Sequence, residues 1–190
     1  MVHFGVESAS KELTSITPSF GVGGNTLRAY GGWPLPPSEV YRAWARYRTR
    51  KITKSISTVD ISSQERFDKW HTNLGQSLNA KWKRDQGGKL TVAYRYKLVD
   101  LYIKWLSGYN LPRKVVTSQL NAYAYCPLDS QTLSKINACY SYCLPLKKPS
   151  MGDIQTENAY RFCQEIITEF CSQAGGTRLE FDYWVWKRGG

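Results

Sequence analysis

The sequence predicts a mainly α-helical fold: one helical domain over residues 38–190, preceded by an irregular N-terminal arm over residues 1–37. Three observations predict it. Apolar residues recur at helical spacing in four long segments, each opened by a capping residue or closed by glycine. Neither a sustained period-two alternation nor an internal repeat competes with that pattern. A chain of 190 residues that is 42% hydrophobic and 14% aromatic can bury one sizeable core.

The arm is rich in Gly, Ser and Pro and ends in GGWPLPP. Its stretch FGVGGNTLRAYGG has glycines without the spacing of a phosphate-binding loop, and no Gly-Lys-Ser/Thr follows, so it reads as a surface loop. Ser38 can cap the first helix, EVYRAWARYRTRKITKSI. Arg42, Arg46, Arg48, Arg50, Lys51 and Lys54 make that helix strongly basic, with Tyr41, Trp44 and Tyr47 interleaved. Such a run is either a solvated face or a phosphate contact, and the absence of any acid between Arg42 and Ser57 favours the phosphate.

Ser62 and Glu65 fit a capping box that opens ERFDKWHTNLGQSLNAKWKR. Phe67, Trp70, Leu74, Leu78 and Trp82 form its core stripe, with His71 beside them, and RDQGGK breaks it. The third helix covers about 91–107 and ends at Gly108. Leu98, Leu101, Tyr102, Trp105 and Leu106 supply its apolar face, while Lys97, Asp100 and Lys104 form a polar stripe with a local ion pair. A mixed stretch follows. Asp129 then stands at an N-cap position, after Pro127 and before SQTLSKINACY. A further helix over about 156–173 carries Tyr160, Cys163, Ile166, Ile167 and Phe170 and ends at Gly175-Gly176. The tail, TRLEFDYWVWKRGG, alternates like a strand, yet Asp182 and Trp186 at i, i+4 equally fit one helix face.

The formal net charge of +11, from 26 basic and 15 acidic residues, calls for a polyanionic partner. Nucleic acid is the first candidate and an anionic membrane surface the second. No run of roughly 18 apolar residues is present, so no bilayer span is expected. The start, MVHFGVESASKEL, lacks the pattern of a signal peptide. Five cysteines, an odd number with no tight framework, read as reduced thiols in a cytoplasm, and a monomer is expected. Cys139 and Cys143 are four apart, as on one helical face. Only His3 and His71 are available to complete a zinc site with them, so the cysteines read as small core residues; neither metal nor cofactor is expected.

Lys-x₆-Lys (Lys97, Lys104), then Pro-Leu-Asp opening a helix (Asp129), then Asp-x₃-Trp (Asp182, Trp186), occur in that order. This set resembles the helix-hairpin-helix DNA glycosylases, and in particular the archaeal 8-oxoguanine DNA glycosylase family. The resemblance covers roughly residues 90–188. The first ninety residues match poorly, and GGKLTVAYRY before Lys97 departs from the family's glycine-rich hairpin turn. A further similarity is to small bacterial proteins with a Trp-His pair, here Trp70-His71, upstream of the same elements. Anti-phage glycosylases that remove bulky modified cytosines belong to that neighbourhood.

The resemblance implies a helical glycosylase that flips a modified base out of double-stranded DNA and excises it, leaving an abasic site. Lys97 and Asp129 are the implied catalytic pair. Breaking an N-glycosidic bond builds positive charge on the sugar, which a fixed carboxylate stabilises, and a deprotonated Lys amine can attack the anomeric carbon. Trp186 and Trp70 would stack the flipped base, and Lys104, Asp182 and His71 would line its pocket. Arg42, Arg46, Arg50, Lys51 and Lys54 would hold the DNA backbone. The polar run TSQLNAYAY at 117–125 favours a sugar-bearing base, glucosylated hydroxymethylcytosine of phage DNA, over 8-oxoguanine. Three other classes compete, one of them an interaction protein whose charge serves only solubility. Arg66-x₄-His71 has the spacing of helical ribonucleases of the HEPN type, though Phe67 replaces their usual polar residue. A purely binding protein would use charge and aromatic stacking without chemistry.

Overall fold

The computed structural model describes residues 18–54, 60–109, 111, 114–141, 143–144 and 148–187, with the backbone alone at 54. Eight α-helices occur among them: α1 (Gly24–Arg28), α2 (Pro37–Lys54), α3 (Gln64–Gln86), α4 (Val92–Ser107), α5 (Lys114–Tyr123), α6 (Ser130–Cys139), α7 (Glu157–Ala174) and α8 (Arg178–Trp186). A 3₁₀ turn, Met151–Asp153, stands before α7. The described residues contain no strand, and none of their helices is long and apolar enough to cross a membrane.

Helix α4 is the hub. Its buried residues fall on most sides, from Ala93 and Tyr96 to Trp105 and Leu106. It packs on α3, α5, α7 and the 3₁₀ turn, so a near-continuous apolar sequence is what its position requires. Helix α3 presents Phe67, Leu74, Leu78 and Trp82 to the core and stops at Gly87, whose φ of 78° suits glycine. Its cap is Ser63, which accepts from Arg66 N. The expected cap, Ser62, instead donates its hydroxyl to Asp60. Helix α2 starts one residue before Ser38, with Pro37 at a position where a missing N–H is harmless.

The N-terminal arm differs most from expectation. Residues 1–17 lie outside the described set; 18–37 run mostly along the surface but send four side chains into the core. Phe20, Val22, Leu27 and Tyr30 are buried, and the Tyr41 hydroxyl donates to Phe20 O at 2.7 Å. Gly21, at φ 82°, lies so close to α4 that a Cβ there would stand 2.5 Å from Leu101 O. The mixed stretch after Gly108 contains α5, whose Val116 and Leu120 are buried. The tail is helical, opened by a capping box between Thr177 and Glu180. Cys126, Cys163 and Cys171 are buried, while Cys139 is exposed and Cys143 half-buried. Helix α6 ends at Cys139, so the two cysteines four apart share no helical face.

Candidate active site

An extended segment, 124–129, carries Asp129 to the side of α4. Two buried side chains strap it down. Gln164 accepts from Cys126 N at 3.0 Å and donates to Cys126 O at 2.7 Å. Arg178 donates to Ala124 O at 3.0 Å and to Tyr123 O at 2.6 Å. Asp129 then caps α6: its Oδ1 accepts from Gln131 N at 3.0 Å and Thr132 N at 2.9 Å, and the Thr132 hydroxyl accepts from Asp129 N. The other carboxylate oxygen is left to face α4.

Lys97, Leu101 and Lys104 share one face of α4, as spacings of four and three require. Lys97 is 7% exposed. Its Nζ donates to Asp129 Oδ2 at 2.8 Å and to Pro127 O at 3.1 Å. Two turns further, Lys104 pairs with Asp182 of α8. Burial pushes the Asp182 carboxyl above the usual carboxylate range, while Lys104 and Lys97 draw it back. The two ion pairs stand in the wall of one open cleft of about 640 Å³. Trp186, 50% exposed, stands at its edge.

Five residues singled out in the sequence thus meet in one cleft: Lys97, Lys104, Asp129, Asp182 and Trp186. Other lining residues carried no motif: Asn25 and Thr26 of α1, Ser130 and Gln131 of α6, and Ser150 and Met151. Tyr183 was also missed; its ring lies 4.1 Å from Lys104 Nζ.

Trp70 and His71 are not part of this lining. Both ride α3, which packs on another flank of α4. His71 is 2% exposed and its Nε2 is 2.7 Å from Asp100 Oδ1. Its ring stacks on Tyr96 at 4.8 Å. Trp70 is half-buried against Phe67. Asp100 does not join the lysine stripe either. It is buried between His71 and Tyr160, whose hydroxyl donates to Asp100 Oδ2 at 2.9 Å. Burial raises the Asp100 carboxyl, against the pull of His71, Tyr160 and Lys97. The Arg66–His71 spacing fares no better: Arg66 is exposed and paired with Asp60, whereas His71 lies in the core.

The basic helix is separate from the cleft. Thr49 of α2 is 3.1 Å from the Tyr102 hydroxyl, and Trp44 packs on the Tyr102 ring. Tyr102 belongs to a different face of α4 from Lys97 and Lys104, at roughly 100° per residue. Arg46, Arg50 and Lys51 are exposed and Arg42 is half-buried. None of the four has an ion pair among the described residues, and the Lys54 side chain lies outside that set. No residue of 117–125 lines the cleft, and 117–123 are helical, so that polar run bears on neither pocket nor base. Comparison with protein families, curated proteins and solved structures finds no match.

Proposed function

We propose that the protein is a DNA glycosylase that excises a flipped-out modified base in this cleft. One observation carries the reading: Lys97 Nζ lies 2.8 Å from Asp129 Oδ2, in the wall of a cleft large enough for a base. Asp129 has a fixed orientation because its other oxygen is held by two backbone N–H groups. A carboxylate so fixed suits stabilisation of the positive charge that grows on the sugar as the base departs. In the covalent route, Lys97 gives a proton to Asp129 and its nitrogen lone pair bonds to the anomeric carbon. The base leaves with the glycosidic electron pair and takes up a proton. In the hydrolytic route, Lys97 keeps its charge and Asp129 takes a proton from water, whose oxygen bonds to the anomeric carbon as the base leaves with the glycosidic electron pair and takes up a proton.

The Lys104–Asp182 pair offers a donor and an acceptor to the edge of the base, and Trp186 a stacking face. Asn25, Thr26, Ser130, Gln131 and Ser150 add polar groups to the lining, which suits a base bearing hydroxyls. The preferred substrate is therefore glucosylated hydroxymethylcytosine in phage DNA, with a role in defence against phage. Bases released from phage DNA with glucosylated cytosine, from DNA carrying 8-oxoguanine and from unmodified DNA are identified by mass spectrometry. Release of the modified cytosine alone is expected. Release of 8-oxoguanine alone assigns the cleft to purine repair, and release of nothing from any DNA contradicts the glycosylase reading.

A further inference from the structure

A second groove, of about 560 Å³, opens between α2 and α3 and shares no lining residue with the cleft. Trp44, Tyr47 and Arg48 of α2 face Ser77, Lys81 and Arg84 of α3 across it. Its floor is fixed, because Trp44 is buried and its indole N–H donates to Ser77 Oγ at 2.9 Å.

Tyr47 stands 54% exposed. Lys51 Nζ lies 5.0 Å and the Arg48 guanidinium carbon 5.8 Å from its ring centroid. No acid pairs with Arg48 or Lys51 among the described residues. Asp85 alone answers both Lys81 and Arg84. A solvated helix face would also be basic, but it would not be concave, nor would it set guanidinium groups from two helices around an open aromatic ring.

Guanidinium forks match phosphate oxygens, and an exposed ring offers a platform on which any base can stack. A duplex is convex and keeps its bases stacked inside, so it cannot use both features of a groove at once. We infer that the α2–α3 groove binds an unpaired stretch of nucleic acid, with phosphates on Arg48 and Arg84 and a base on Tyr47. The inference is independent of base excision in the cleft.

The test measures binding of the full chain to labelled oligo(dT), to a duplex of equal length and to heparin. The side chains to be changed, Tyr47 and Arg84, are exposed, so the variants keep the fold. Tyr47→Ala is expected to weaken oligo(dT) binding about tenfold, and Tyr47→Phe to retain it. Duplex and heparin binding should not change in either. Arg84→Gln should flatten the oligo(dT) salt slope by about 0.7. Unchanged oligo(dT) affinity in Tyr47→Ala overturns the inference, as does an equal loss for all three ligands. If Tyr47→Ala loses binding to anionic phospholipid vesicles while keeping oligo(dT), the groove serves a membrane surface instead. Asp129→Asn leaves these results unchanged, so failure here is distinct from failure of the glycosylase reading.

Discussion

Asp129 faces α4 and Asp100 belongs to it, and the two carboxylates have opposite fates. Asp129 divides its oxygens between a helix cap and Lys97 at the edge of a cleft. Asp100 is sealed between His71 and Tyr160, and burial raises its carboxyl. The consequence for stability has a definite sign. From about pH 4 upward the unfolded chain has released this proton while the folded protein still holds it. Stability present below that pH is lost as pH rises toward the raised value. Asp100→Asn removes the contribution, so its thermal midpoint should vary less with pH than the wild type's over that window. Asp182 is shifted in the same direction, which leaves some slope in the variant. Parallel curves for the two proteins would contradict the buried-carboxyl account. The sequence made Lys97, Lys104, Asp129, Asp182 and Trp186 legible through ordered spacing. It could not separate Asp100 from the lysines, because i, i+3 spacing marks neighbours on a helix but not which partner covers each. His71 entered through the Trp70-His71 resemblance, which carries no information on burial, and it lies in the core and not in the cleft lining.

At the scale of elements, the long helices were legible from periodicity, and the N-terminal segment was not. A short stretch with scattered apolar residues among glycines has no period to detect. Its place in the core depends on Gly21 approaching the α4 backbone. Gly21→Ala puts a Cβ against Leu101 O at a φ unsuited to alanine, so a loss of about 1–3 kcal/mol is expected from the urea midpoint. Gly23→Ala is the control, since nothing lies within 4 Å of a Cβ there. Equal midpoints for the two variants would show that the segment does not depend on this contact. Helix α5 escaped notice because only Val116 and Leu120 of its ten residues are buried, too few to mark a stripe.

Over the whole molecule, α4 stands between the cleft and the basic helix. The cleft lies along its Lys97 face, and the basic α2 packs against its Tyr102 face. A duplex gripped by Arg46 and Arg50 must therefore extend beyond the cleft. Arg46→Ala with Arg50→Ala should weaken binding to modified and unmodified duplexes alike and flatten the salt slope by about 0.9 per lost phosphate contact. A loss confined to one modified base would contradict a backbone role. The central claim rests on the Lys97–Asp129 pair, and single-turnover base release by Asp129→Asn tests it most directly. Asparagine caps a helix nearly as well as aspartate, so the change removes the charge and leaves α6 in place. The account predicts that base release is abolished while duplex affinity is kept; release at the wild-type rate would contradict it.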